Sequence, residues 1–532
     1  MVSRNRSREA AGGGAVRRFR SGLRDPRGEL PAHEADASDT ARHAPDDALI
    51  SLHDLAGRPR GTGFAADHHG TVITSHEAVD GLPRLVLSTA GGRRRVVAAA
   101  DVTPLPALGL ALVRAEGLGV GPLPVTARGR VEAGTYVRIA AGGWREARVL
   151  GTTDVHYAAT DRFHVLRDAL ELALGTSGRD ALRLGGGAAG GPVLDLTTGA
   201  VLGVLGTALS SGHSDVGFAV PLPPAPGPLA TLLAENAATV PAYGADLNLA
   251  GVLALTATSV AQDGPPGAVA GGAGAGAQAA SGAVPLGGSG AVEPVERAAI
   301  TREFTAFTAS DARVLGLVGP PGSGRTTELA ALAARRCRGA EPAPTLWLRG
   351  ADLRDDDMSL ADAARRTLAR AARLVAASDP ARPAGLGDIT PERLAHLAGN
   401  AGRALLLLLD APEEMPPVLA HRLPEWTEGT AAWLRETGAR LVVACRAEYW
   451  ERAGAEFPRE LLHGAVPGER ASGRGVPFPR AVAEAEASGR AVFGGPCSWP
   501  AVAPERPSAS AGSGRPRGGG GGRRSVRATE GG

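Results

Sequence analysis

Between about Ala48 and Pro224 the apolar positions come in short runs broken by glycine: ALISLH, GTVITS, RLVLST, RRRVVAA, LALVRA, YVRIAA, ARVLGT, PVLDL, VLGVLG and VGFAVP. Many short β-branched or aliphatic runs at roughly even spacing predict an all-β barrel or sandwich. From Glu293 the rhythm changes to strand followed by helix: ARVLGLVG then TTELAALAARR, TLWLR then SLADAARRTLARAARLVA, ALLLLLD then GTAAWLRETGA and RLVVACR. Such alternation predicts a parallel sheet with helices on both faces. Helix punctuation agrees, because Thr390 can cap the helix that Pro391 opens and Gly402 follows its end.

The stretches outside these patterns lack large apolar residues. Residues 1–46 are rich in Arg, Gly, Asp and Ala without periodicity and predict a disordered basic arm. Residues 225–292, ending in GPPGAVAGGAGAGAQAASGAVPLGGSG, predict a flexible linker, and 466–532 a low-complexity disordered tail. The expected domains are therefore 47–224 and 293–465. The abrupt loss of pattern after Pro467 is also what a truncated or frame-shifted form of a longer parent would give.

Composition narrows the partners. The formal charge is +2 over 532 residues, with 21% charged, so bulk electrostatics favours neither nucleic acid nor an acidic membrane. All 57 basic residues are arginine, and Ala and Gly dominate, as in GC-rich coding. Cys337, Cys445 and Cys497 are too few and scattered for a disulfide framework or a CxxC metal site. The basic N-terminus has no apolar core behind its arginines, and the longest aliphatic run, Ala404 to Leu409, is far too short to span a bilayer. A cytoplasmic protein is expected.

Four segments of the first region carry candidate chemistry: GTGFAADHHGTVITSHEAVDG (Gly61 to Gly81), GLALVRA, GGGAAGGPVLD (Gly185 to Asp195) and SDVGFAVPL (Ser214 to Leu222). In order and spacing they resemble the trypsin-like, HtrA-type serine proteases, which write GSGFVVDPDGLVLTNAHVV, DLALLRV and GDSGGPV. The resemblance implies a trypsin-like double barrel with His76 at the catalytic histidine, Gly109 where the aspartate stands and Ala189 where the serine stands. Acyl transfer needs a hydroxyl, a histidine to take its proton and a carboxylate to orient the histidine. Ala189 and Gly109 supply neither end of that chain. The amides of Gly187 and Ala189 could still form an oxyanion hole, and Ser177, in GTSGRD, lies twelve residues upstream, outside the glycine loop. The expectation is a pseudoprotease that binds a peptide or protein segment or packs against the rest of the chain.

In the second region GPPGSGRTT, Gly319 to Thr327, follows a predicted strand and opens a predicted helix, the context of a phosphate-binding loop. Gly319, Gly322 and Gly324 let backbone amides turn inward, Thr326 can ligate Mg2+, and Arg325 and Thr327 complete the candidate nucleotide-binding residues. Arg325 stands where the P-loop pattern has lysine, and a guanidinium does not copy a compact ammonium. ALLLLLDAPEE reads as a buried strand ending in an acid, so Asp410 is the second Mg2+ candidate. This region resembles the STAND class of signalling NTPases, including NACHT proteins, whose hhhhD(G/A)hDE pattern puts Glu414 at the water-activating position with Glu413 beside it. RLVVACR puts Arg446 at the sensor of the γ-phosphate. The helical modules and repeats that usually follow in that class do not occur in the sequence.

The resemblances together imply a cytoplasmic, ATP- and Mg2+-binding signalling switch or scaffold with an inert trypsin-like domain used for recognition, an arrangement similar to multidomain proteins of actinobacteria. Weak ATPase activity and assembly into homo-oligomers are compatible with it; nucleic-acid and membrane partners are not expected. The residues leave two other readings open. One is a serine-protease-family enzyme with unconventional peptidase activity regulated by the ATPase half, and the other a structural interaction protein with both sites dead.

Overall fold

A computed structural model describes residues 46–174, 187–211, 216–223, 226–265, 268, 297–378 and 386–464. The expected arm, the later part of the expected linker and the tail fall almost wholly outside the described residues.

The first region forms two seven-stranded sheets, antiparallel in every strand pairing. In the first the order is β5-β4-β1-β2-β3-β7-β6: β1 (Leu49–His53), β2 (Pro59–Ala65), β3 (Thr71–Ser75), β4 (Arg84–Thr89), β5 (Arg94–Ala98), β6 (Val102–Leu105) and β7 (Leu110–Arg114). The second contains β8 (Tyr136–Ala140), β9 (Trp144–Ala158), β10 (Phe163–Leu174), β11 (Pro192–Asp195), β12 (Val201–Gly206), β13 (Leu209–Ser210) and β14 (Gly217–Pro221). Its order is β10-β14-β12-β11-β8-β9-β13, and an added β9–β10 pairing closes it on itself. Along most of β9 buried and outward positions alternate, the period of a half-buried strand. In β12, VLGVLG, every residue is buried. The longer strand β10, FHVLRDALELAL, is not among the runs picked out above, because Leu, Ala and Glu suit a helix as well. Pairing with β9 and β14 decides it as a strand, with breaks in register and Asp168 at φ 55°.

The flexible linker expected over 225–292 is corrected in its first half. Residues Pro228–Thr239 form α2, after the short α1 (His76–Val79), and Leu249–Asp263 form α3. Leu229 and Leu232 of α2 pack into the barrel core, and the fully buried Asn236 donates to the carbonyls of Ala66 (2.7 Å) and Leu123 (2.9 Å) while accepting from the Val125 amide (2.9 Å). Helix α3 packs Val252 and Leu255 on one core of the second region and Val260 on another. Averaging these few anchors with the Gly/Ala run behind them hid both helices. Between α2 and α3 the turn Gly244–Asp246 is tied to the barrel. Asp246 accepts from Thr126 Oγ1 (2.6 Å), Thr198 Oγ1 (2.5 Å) and, with both oxygens, from Arg128 (2.7 and 2.6 Å). Arg128 also donates to Asp195 of β11 (2.5 Å). On the other side Arg393 donates to the Ala245 carbonyl (3.0 Å), so the turn joins the two regions.

The second region has four parallel strands, β15 (Val314–Val318), β16 (Thr345–Arg349), β17 (Leu406–Asp410) and β18 (Arg440–Cys445), in the order β15-β18-β17-β16. Alternate residues serve opposite faces. Leu346, Leu348, Leu407, Leu409, Leu441 and Val443 enter one core, and Leu315, Leu317, Trp347, Leu406, Leu408 and Val442 the other. Helices α4 (Ala298–Ala309) and α5 (Arg325–Arg338) cover the second face. With α3, helices α6 (Leu360–Ala377), α7 (Pro391–Asn400) and α9 (Leu423–Thr437) cover the first; α8 (Pro417–His421) leads into α9, and α10 is Ala447–Glu456. Thr390 Oγ1 accepts from the Arg393 amide at the start of α7, and Gly402 is left-handed just after its end, as the punctuation predicts.

Candidate functional site

In the parallel register Arg349 is paired with Asp410, Asp410 with Ala444, and Val318 with Cys445, so the carboxyl ends of all four strands lie on one rim. That rim is where open α/β sheets place ligands. The loop Gly319–Gly324 leaves β15 there. The Gly319 amide donates to the Cys445 carbonyl (3.2 Å), and Gly322 (φ 78°) and Gly324 (φ 87°) turn left-handed before α5 begins at Arg325. A Cβ on Gly322 would meet nothing within 4 Å, so the loop is open at that point.

Thr326 Oγ1, in the first turn of α5, lies 3.1 and 3.0 Å from the two oxygens of Asp410. Burial raises the Asp410 pKa, the Thr326 hydroxyl and Arg325 oppose it, and the neighbouring Glu413 and Glu414 add to it. Beyond Asp410 the backbone turns left-handed at Ala411 (φ 50°) and enters a single 3-10 turn, Pro412–Glu414. That turn points Glu413 inward: its Oε1 is 3.5 Å from Arg325 Nη2 and 3.4 Å from Arg446 Nε. Glu414 is exposed, as are Thr327 and Arg446. Three buried side-chain atoms around the loop have no hydrogen-bond partner, Ser323 Oγ, Arg325 Nη1 and Glu413 Oε2. Arg297 reaches the loop from outside, donating to the Ser323 carbonyl and pairing with Glu328 at 3.5 Å.

In the barrel region His76 follows β3 and opens α1, and its amide donates to the Gly109 carbonyl (2.9 Å). The imidazole is buried, and its Nδ1 is 2.7 Å from the hydroxyl of Tyr157, which reaches it from β9. The two rings meet edge to face with centroids 5.7 Å apart. Burial holds the His76 pKa below the ordinary imidazole value, against the pull of Asp80 and Asp161, and burial also raises that of the Tyr157 hydroxyl. Near neutral pH the contact is therefore a neutral imidazole sharing a hydrogen with a neutral phenol. Gly109 is left-handed (φ 65°), and a Cβ there would lie 2.6 Å from Leu166 Cδ1 and 3.3 Å from Val220 Cγ2. Ala189 is buried, and its carbonyl accepts from the Thr62 amide (2.7 Å); Thr62 Oγ1 donates to the Gly187 carbonyl (2.5 Å). Gly190 (φ 84°) fits so closely that a Cβ would lie 2.1 Å from Thr74 Oγ1. Ser177 lies outside the described residues.

Residues 61–204 match the family model of the trypsin-like peptidase domain. The chain carries a trypsin-like peptidase domain. Solved structures similar to part of the chain include the active form of the Rv3671c protease of M. tuberculosis, 21% identical over 40% of this chain and 94% of that one, with a TM-score of 0.28. Others are Deg5, 19% identical over 36% and 92% (TM-score 0.27), and the serine endoprotease of Yersinia pestis, 16% identical over 39% and 69% (TM-score 0.27). No curated protein matches the chain.

Within the trypsin-like domain the structure brings His76, Gly109 and the Ala189 loop together through the Gly109 carbonyl and the Thr62 ladder. Two participants were not singled out in the sequence. Tyr157 lies 81 residues beyond His76 in a strand without a motif, and only closure of β9 around the barrel brings it to Nδ1. Leu166 fills the volume beside Gly109, and nothing but the strand pairing of β10 places it there. In the second region Glu413, read from the sequence only as the neighbour of Glu414, is the glutamate that meets the arginines.

Proposed function

We propose that the chain is an ATP-binding signalling switch or scaffold whose trypsin-like domain recognises a peptide or protein segment without cutting it. The observation that carries the nucleotide half is the approach of Thr326 to both oxygens of Asp410 on the strand rim, beside an open glycine turn. This donor set suits a Mg2+-bound triphosphate: a hydroxyl and a carboxylate for the metal, helix-start amides for phosphate, and unpartnered Ser323 Oγ and Arg325 Nη1 for further oxygens. Bound Mg2+ would neutralise phosphate charge. The chain's own residues would hold and orient these groups: Thr326 and Asp410 the metal, the Gly319–Gly324 backbone and Arg325 the phosphates, Arg446 the outermost phosphate. Glu414 is the base for slow hydrolysis.

Supporting the absence of peptidase chemistry, Ala189 offers no hydroxyl, and the volume that a carboxylate beside His76 would need is occupied by Leu166. Tyr157 holds the imidazole nitrogen that an aspartate would otherwise orient. In this reading the domain serves as a recognition module, and α2, the Asp246 turn and α3 tie it to the second region. Isothermal titration of the full chain with ATP and Mg2+ tests the first half, and no heat at millimolar nucleotide refutes it. A fluorophosphonate serine probe tests the second, which covalent labelling lost in His76→Ala would refute.

A further inference from the structure

The carboxylate of Glu413 stands between two guanidinium groups that the proposed site needs for phosphate, Arg325 and Arg446, at 3.5 and 3.4 Å. It holds them with one oxygen. Its other oxygen, Oε2, is buried without a partner, and so is Nη1 of Arg325. A carboxylate with an unsatisfied buried oxygen, facing an arginine with an unsatisfied buried nitrogen, is an incomplete ion pair. Arg325 is the residue that directly follows the Gly319–Gly324 loop, and Ser323 Oγ within that loop is likewise buried without a partner.

We propose that Glu413 is an internal stand-in for the terminal phosphate, an anion that occupies Arg325 and Arg446 while the site lacks a ligand and must be displaced for a triphosphate to bind. The inference rests on the nucleotide reading above. Its physical basis is competition: two guanidiniums sharing one carboxylate gain more hydrogen bonds and more opposite charge from a phosphate, but each must first leave Glu413. Arginine makes the device workable. Its planar fork can be engaged by one partner on Nη2 while Nη1 stays directed elsewhere, whereas an ammonium at that position is a single point charge. Glu413 reaches the pair because the left-handed residue Ala411 and the 3-10 turn Pro412–Glu414 bend the chain back over the rim directly after Asp410. Gly350 permits the bend: a Cβ there would lie 2.0 Å from the Ala411 carbonyl oxygen. Glu414, one residue further, is turned out to solvent and does not compete.

The test is titration of the full chain with ATP and Mg2+ in wild type, Glu413→Gln, Glu413→Asp and Glu448→Gln, with a melting curve for each to establish folding. Removing the competing charge in Glu413→Gln is expected to tighten binding about tenfold, equivalent to about 1.4 kcal/mol. Glu413→Asp, one methylene shorter, tightens it by a smaller factor, and Glu448→Gln, an equal loss of charge at an exposed position of α10 that makes no contact with either arginine, changes it less than twofold. In an Arg446→Ala background the gain from Glu413→Gln shrinks, because one of the two freed groups is gone. If wild type binds ATP and Glu413→Gln binds it no more tightly, or Glu448→Gln tightens it equally, the stand-in role is overturned and the nucleotide reading survives. If neither wild type nor any variant binds at millimolar ATP, both fall together.

Discussion

On the proposed reading of an inert trypsin-like domain, placing an aspartate at Gly109 and a serine at Ala189 is not expected to produce a working protease, and the reason is geometric. In the double substitution Gly109→Asp, Ala189→Ser, the new side chain at 109 meets two obstacles. The backbone there is left-handed at φ 65°, which costs an L side chain about 1–2 kcal/mol. Its Cβ would also lie 2.6 Å from Leu166 Cδ1 and 3.3 Å from Val220 Cγ2, an overpacking of about 1–3 kcal/mol. Together these come to about 2–5 kcal/mol, to be read as a fall of roughly 5–20 °C in the melting midpoint of the trypsin-like domain. The imidazole nitrogen that the carboxylate should orient is moreover already engaged by the Tyr157 hydroxyl at 2.7 Å. The assay is fluorophosphonate labelling beside casein zymography, with melting curves on the same samples. The double variant is expected to melt lower and to label no faster than wild type, whereas adding Leu166→Ala and Tyr157→Phe recovers measurable labelling by opening the volume and freeing Nδ1. A double variant that melts with wild type and cleaves casein would refute the claim that Leu166 and Tyr157 have closed the site.

Three further outcomes follow from other contacts. Tyr157→Phe leaves a buried imidazole nitrogen unpaired and should cost about 1–3 kcal/mol, read by urea unfolding; an unchanged midpoint would mean that the pair is incidental. Because burial lowers the His76 pKa in the folded chain, the unfolded chain binds the extra proton, so the contribution of His76 to stability is present above its ordinary value of 6.5 and is lost as pH falls toward the depressed folded value. A unfolding free energy that is flat across that window in wild type, compared with His76→Gln, would contradict it. Arg128→Ala removes the guanidinium that Asp246 and Asp195 share, leaving two buried carboxylates facing each other, and should destabilise by about 3–5 kcal/mol in urea; a change below about 0.5 kcal/mol, the level of an ordinary surface substitution, would show that the turn between α2 and α3 is held by something else.

The sequence by itself determined the two kinds of architecture, because short runs broken by glycine and strand-helix alternation are local patterns that survive without knowledge of the contacts. It also located the glycine loop and Asp410, since a loop between strand and helix and an acid at the end of an aliphatic run are written in consecutive residues. Tertiary structure decided the partners. That Thr326 faces Asp410 across 84 residues, that Tyr157 and not a carboxylate meets His76, and that Leu166 occupies the space beside Gly109 all depend on strand order and closure. It decided too that β10 is a strand and that residues 228–239 and 249–263 are helical, where a few anchors, Leu229, Leu232, Asn236, Val252 and Leu255, outweigh a composition that otherwise suits a linker. The division has one cause. Local pattern records which face of an element is apolar, whereas a site is made where elements far apart in the chain are brought together, and no period in the sequence encodes that distance.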